Sequence, residues 1–221
     1  MLLFKIIVLT MIGNSAIEGI MKSLSEEFKF HSSSYHESLF SSFTLDNRTL
    51  SFIKYYNRTV LDKERISFGE FKHQWAIQGM SGEVIKYFDD NYDALRNEIL
   101  EEKNIKRFYL RHCISVRKEA SFCSKLFHTH LPNDFPPLDN PIRNRFNLGK
   151  EEFIKSVLIV RNAYKQFIED NGIYIKMVRS ILSDPKYSYL RASELSDIRI
   201  IDMYLWFKEN RQKGIPSITN N

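Results

Sequence analysis

At 221 residues the chain is long enough for one well-filled core or two small domains. Its 43% hydrophobic and 27% charged residues exclude a disordered tract, and 8 glycines with 6 prolines supply too few turns for a many-stranded sandwich or barrel. A net charge of +5 and a pI near 9.1 favour an anionic partner, while two cysteines, Cys113 and Cys123, exclude a disulfide scaffold and point to a reducing compartment.

Met1–Thr10 is apolar apart from Lys5 and reads as a buried first helix or strand. With the small residues of Gly13–Ala16 behind it, the alternative is a secretory leader cut near Ala16. The run is too short to span a bilayer. The N-x-T triplets at Asn47 and Asn57 matter only in a secreted chain.

Ile17, Ile20, Met21, Leu24 and Phe28 form a helical stripe. His31–Ser42 fits a loop or a short helix, and Leu50–Leu61 a strand or a helix. Ser67 and Glu70 have capping-box spacing and open Phe68–Ile77. Gly79 and Gly82 break the chain, and Ser81 caps a long helix over Val84–Glu102. Ile105–Val116 and Glu119–Thr129 keep helical period.

Pro132, Pro136, Pro137 and Pro141 then stop regular structure. Asn140 caps a short helix with Pro141 at its first position, running to Asn147 and ending at Gly149. Lys150–Asp170 is a long helix ended by Asn171-Gly172, followed by Ile173–Leu182 and by Glu194–Asn210, opened by Ser193. The expectation is an all-α, multi-helix bundle: one domain over 1–212, or a smaller N-terminal subdomain over 1–80 within it, and a polar tail over 213–221. A glycine-rich nucleotide loop after a strand is absent from the sequence.

Lys103, Lys106, Arg107, Arg111, Arg117 and Lys118 form a positive run at spacings suited to one broad helical face. Phe52-Ile53-Lys54-Tyr55-Tyr56-Asn57-Arg58 interleaves aromatic and basic residues, as a base-stacking surface would, or as a half-buried helix or strand would. Cys113, Cys123, His112, His128 and His130 match no standard zinc spacing, and neither a metal nor a cofactor is expected.

The stretch from Lys118-Glu119-Ala120 to Leu138-Asp139, with Arg143, Arg145 and Leu148 beyond, resembles the core of the helix-hairpin-helix DNA glycosylase superfamily, which includes endonuclease III and the 8-oxoguanine glycosylases. Ser124-Lys125-Leu126-Phe127-His128, the run from Pro132 through Phe135 and Pro136 to Asp139, and Arg199-x-x-Asp202-x-x-Leu205-Trp206 are also similar to uncharacterised bacterial proteins, some with an 8-oxoguanine glycosylase-like fold. In place of the family's glycine-bearing hairpin stands His112-Cys113-Ile114-Ser115-Val116, and the four cluster cysteines are missing.

The resemblance implies a divergent glycosylase-like fold and a nucleic-acid partner, DNA first. Asp139 is then the favoured catalytic carboxylate and Lys118 the amine nucleophile. Lys106, Arg107, Arg111, Arg117, Lys125, Arg143 and Arg145 would contact phosphates. Base excision or a role in bacterial or mobile-element defence would follow, in the cytoplasm. Plainer readings stand beside each: Asp139 as a turn cap, Lys118 as a solvated lysine, Lys125 and His128 orienting the turn through Asp134 or Asp139, Arg199 and Asp202 as a local i,i+3 pair, Trp206 as core. The competing function is a non-enzymatic helical protein-interaction protein, or, with the leader, a secreted effector.

Overall fold

The computed structural model describes the backbone of residues 2–29, 31–41, 47–113 and 120–213, and side chains within 14–29, 31–40, 47–113 and 120–209. Every regular element among these residues is helical. In chain order they are α1 (Leu2–Lys29), α2 (Ser33–Ser41), α3 (Asn47–Tyr56) with a π-helical turn over Asn57–Leu61, α4 (Phe68–Gln74), α5 (Gly82–Asp90) and α6 (Tyr92–Glu102). There follow α7 (Ile105–His112), α8 (Ala120–His130), α9 (Asn140–Arg145), α10 (Phe153–Leu182), a 3-10 turn over Pro185–Leu190, and α11 (Asp197–Lys213).

α1 lies along α10, and α2 and α11 pack on α10 as well. The stripe Ile20, Leu24 and Phe28 is buried, and the Phe28 ring meets Tyr204 of α11 at 4.4 Å and Phe167 of α10 at 5.5 Å. Burying each such side chain contributes roughly 1.5–3 kcal/mol. One apolar cluster continues from Ile20 to Phe207. Residues 2–10 of the apolar N-terminal run and Gly13–Ala16 lie within α1.

Several boundaries differ from the sequence reading, each for a local reason. Ser67 stands at the start of α4 in extended geometry but makes no side-chain cap; Glu70 instead takes the Arg58 guanidinium at 2.9 Å, and Asp89 of α5 accepts from the Phe68 N–H at 2.9 Å. Val84–Glu102 is two helices divided at Asn91, while Ser81 does cap the first, accepting from the Val84 N–H. Asp139, not Asn140, caps α9, and left-handed Asn147 (φ 56°) turns the chain beyond it before Gly149 is reached. Asn171-Gly172 only kinks α10, since Asn171 alone leaves helical geometry and the helix resumes. The last helix opens at Ser196, whose Oγ accepts from the Arg199 N–H at 3.1 Å.

α8 is the central element. Phe122 to Thr129 are all buried, as expected of a helix surrounded by others. Its buried polar groups fasten it to its surroundings. Ser124 Oγ donates to the Leu138 carbonyl at 3.1 Å, Lys125 Nζ to the Trp75 carbonyl at 3.2 Å, and the His128 ring binds the Phe135 carbonyl at 2.7 Å. Ser196 Oγ donates to the Pro132 carbonyl at 2.7 Å. The proline-rich turn is therefore held from both sides, by α8 and by the start of α11, and delivers Asp139 to a fixed place.

Candidate functional site

The turn ends at a cavity of about 490 Å³ between α3, α8 and α11. That volume lies within the ~300–1,000 Å³ of ordinary small-molecule sites. α3 presents Arg48, Thr49, Phe52 and Ile53, one helical face; the end of α4 adds Gln74, Trp75 and Ala76. α8 contributes Lys125 and the turn Pro137 and Asp139. α11 closes the far wall with Arg199, Asp202, Met203, Trp206 and Phe207, at the i, i+3, i+4, i+7 and i+8 positions of one face. Both tryptophans of the chain line this cavity.

Two of the charges here are buried. Asp202 is 6% and Lys125 9% exposed. Arg199 pairs with Asp202 at 2.5 Å and lies over two rings, 4.7 Å from the Tyr56 centroid and 5.7 Å from that of Phe52. Burial pushes the Asp202 carboxyl up to about 7; Arg199 pulls it down, Asp139 pushes it up, and Lys125 pulls it down more weakly. The Asp202 carboxyl thus feels three other charged residues of the cavity.

Behind Arg199 runs a chain of oriented groups. A carbonyl can only accept, so the Phe135 carbonyl fixes the proton of His128 on Nδ1. Nε2 then accepts from the Tyr56 hydroxyl at 2.8 Å. Burial holds the His128 imidazole down at about 3, with Arg199 adding to it, so the ring is neutral at physiological pH. Burial raises the Tyr56 phenol, which keeps its proton. The Tyr56 ring under Arg199 is thereby fixed from below.

The residues expected from sequence are distributed unevenly. Asp139 lines the cavity, and its Oδ1 accepts from the Ile142 N–H at 3.1 Å, so it is both a cap and a cavity group. Lys125 is also there. Lys118 and Arg117 lie outside the described residues, as does the Ile114–Val116 part of the hairpin counterpart. Lys106 is exposed on α7; Arg107 faces Glu102 at 3.5 Å; Arg111 reaches Glu98 at 3.0 Å and Glu102 at 2.9 Å. No α7 residue lines the cavity. Lys103 stands apart from the run on α7, because it turns left-handed (φ 49°) and α7 starts afresh at Ile105.

Arg143 and Arg145 face inward. Arg143 donates to Ser156 Oγ at 3.2 Å and to the carbonyls of Gly149 and Glu151, 5.0 Å from the Phe153 ring centroid. Arg145 bridges Glu27 of α1 and Glu209 of α11, and Lys208 joins Glu27. This network anchors the helix that Asp139 caps. Asp134 engages Lys165 and Arg161 rather than His128.

Arg199, Asp202 and Trp206 were expected as a local pair and a core residue; the pair exists, but all three form one wall of the cavity. Their spacing was the available signal, since i, i+3 and i+7 share a helix face. Trp75 carried no such signal. It reaches the cavity through the end of α4, a tertiary placement. No protein-family model, curated protein or solved structure matches the chain.

Proposed function

We propose that the chain binds nucleic acid, DNA in the first instance, takes one unstacked base into this cavity, and cleaves its N-glycosidic bond with Asp139 as the catalytic carboxylate. Its fold is on this reading a divergent helix-hairpin-helix glycosylase fold. The observation that carries the reading is the meeting of Asp139, Lys125, Arg199 and Asp202 within one aromatic-walled space. Planar rings favour stacking against Phe52, Trp75 or Trp206, which is sequence-tolerant because every base has a π-face.

Cleavage of an N-glycosidic bond leaves positive charge on the sugar. A fixed carboxylate stabilises that charge more than it stabilises the neutral ground state, which is the requirement for catalysis. Asp139 is fixed by the Ile142 N–H and by the turn held between Ser124 and Ser196. Water then adds to the sugar carbon and gives its proton to Asp139. Lys125 offers a donor to an acceptor atom of the leaving base. Lys118, as nucleophile, would instead leave a covalent imine, which borohydride traps; the hydrolytic route leaves nothing to trap.

One observation favours a second reading, a free nucleoside or a short unpaired strand as the occupant. Arg107, Arg111, Arg143 and Arg145 are all engaged within the chain. Gel shifts at increasing salt separate the duplex from the short strand, with a log–log slope of roughly −5 or steeper for a duplex gripped by many cations and about −1 to −2 for a strand held by one or two phosphates; a free nucleoside, which has no phosphate, is tested by equilibrium dialysis. Absence of binding to any of these at low salt would leave the protein-interaction alternative.

A further inference from the structure

Cys113 and Cys123 are the only cysteines of the chain. Cys113 ends α7, with its N–H on the Tyr109 carbonyl at 2.9 Å, and Cys123 lies in the first turn of α8. Both are buried, at 1% and 0% exposure, and their Sγ atoms are in contact at 2.6 Å. Phe108 and Phe127, whose ring centroids are 5.4 Å apart, pack the same two helices together. Neither cysteine lines the cavity, and the proposed chemistry uses neither.

We propose that Cys113 and Cys123 are a disulfide site: exposed to a small-molecule disulfide such as oxidised glutathione, they form one intramolecular bond that fastens α7 to α8. Two sulfurs already in contact within a packed core need no search to meet, and such pre-set proximity raises the effective concentration of one thiol for the other far above that of a free thiol. The closed loop contains Arg117 and Lys118. Cys123 itself lies two residues before Lys125 on α8.

The step balances in two exchanges. One cysteine, as thiolate, attacks a glutathione sulfur, breaking that S–S bond and releasing one glutathione thiolate. The second cysteine attacks the cysteine sulfur of the mixed disulfide and releases the second glutathione. Two thiols lose two protons and two electrons, and both electrons leave on glutathione. Because both sulfurs are buried, the first exchange requires the end of α7 to open, so the bond forms faster during folding than in the folded protein.

The test uses the full chain. It is refolded with oxidised glutathione, alkylated in denaturant and weighed intact. The expected product is a monomer two hydrogens lighter than the reduced chain, with no alkyl group, returning to a doubly alkylated form after reduction. Its Tm should exceed that of the reduced protein by about 5–10 °C, from closure of a short loop. Cys113→Ala and Cys123→Ala should show neither change. Double alkylation after oxidation, a stable glutathione adduct on either cysteine, a disulfide-linked dimer, or a Tm lowered by oxidation would each overturn the proposal. None of these results depends on what occupies the cavity.

Discussion

Along α6 and α7, Arg107 and Arg111 lie in water against Glu98 and Glu102, whereas Lys125, Asp139, Arg199 and Asp202 meet inside a frame of aromatic rings. The first group belongs to the denser run of cations in the sequence, and carboxylates screen its two arginines. The second is drawn from three separated segments, yet its charges interact through protein rather than through water, where each pair counts for more. The density of a charge run thus says less about a site than the dielectric in which the charges end up.

The largest effect is expected at Asp139. Asn caps a helix about as well as Asp, so Asp139→Asn should leave Tm nearly unchanged while lowering base release by roughly 10²–10⁴-fold. Parallel loss of Tm and activity would make Asp139 a cap and nothing more.

A stability contrast comes next. Arg199→Ala strands a buried Asp202 and should cost about 3–5 kcal/mol in a urea titration run well above pH 7, where that carboxyl is ionised in the unfolded chain and in the parent. Arg111→Ala removes a cation that is 38% exposed and should leave the unfolding midpoint where it is. Equal effects would erase the distinction between the two regions.

The pH response should be smaller and should carry two signs. The folded protein holds His128 near 3 and His130 near 4, so the unfolded chain binds more protons over that range and stability falls as pH drops below 6.5. Asp202 works oppositely: with its carboxyl raised from 3.8 to about 7, the folded state binds the extra proton, and this stabilisation is lost as pH rises from about 4 through 7. His128→Gln should therefore flatten the acid side of a Tm–pH curve, and Asp202→Asn should remove the decline towards neutrality. A His128→Gln curve parallel to the parent's would mean that the ring titrates in the fold.

Helix identity was legible from periodicity and caps. Ile20, Leu24 and Phe28 lie on the buried face that their spacing requires, and the prolines ended α8 where expected. The capping residues were harder to read. At Ser67 the cap came from Asp89, 22 residues later, and such a partner is invisible to local spacing. The Asn171 kink is similar: continuous packing of Phe167, Ile175 and Val178 keeps α10 in one piece through a dipeptide that would end an isolated helix.

Half of the site was readable for the same reason. Asp139 stood out because prolines isolate it, and Lys125 because it lies on the helix before that turn. Arg199, Asp202 and Trp206 had the spacing of one face, but a face is buried, exposed or cavity-lining only once a partner surface exists. That surface is α3, whose sequence fits helix and strand alike.

Both tryptophans line the cavity, so intrinsic fluorescence reports on it without a label. Titration of the full chain with a short single-stranded DNA, beside a gel shift of the same mixture, shows whether the nucleic acid enters the cavity. A base seated in the cavity gives saturable quenching of tryptophan emission that follows the fraction bound and is retained in Arg111→Ala. Binding in the gel with unchanged emission would place the nucleic acid elsewhere on the protein and contradict that seating.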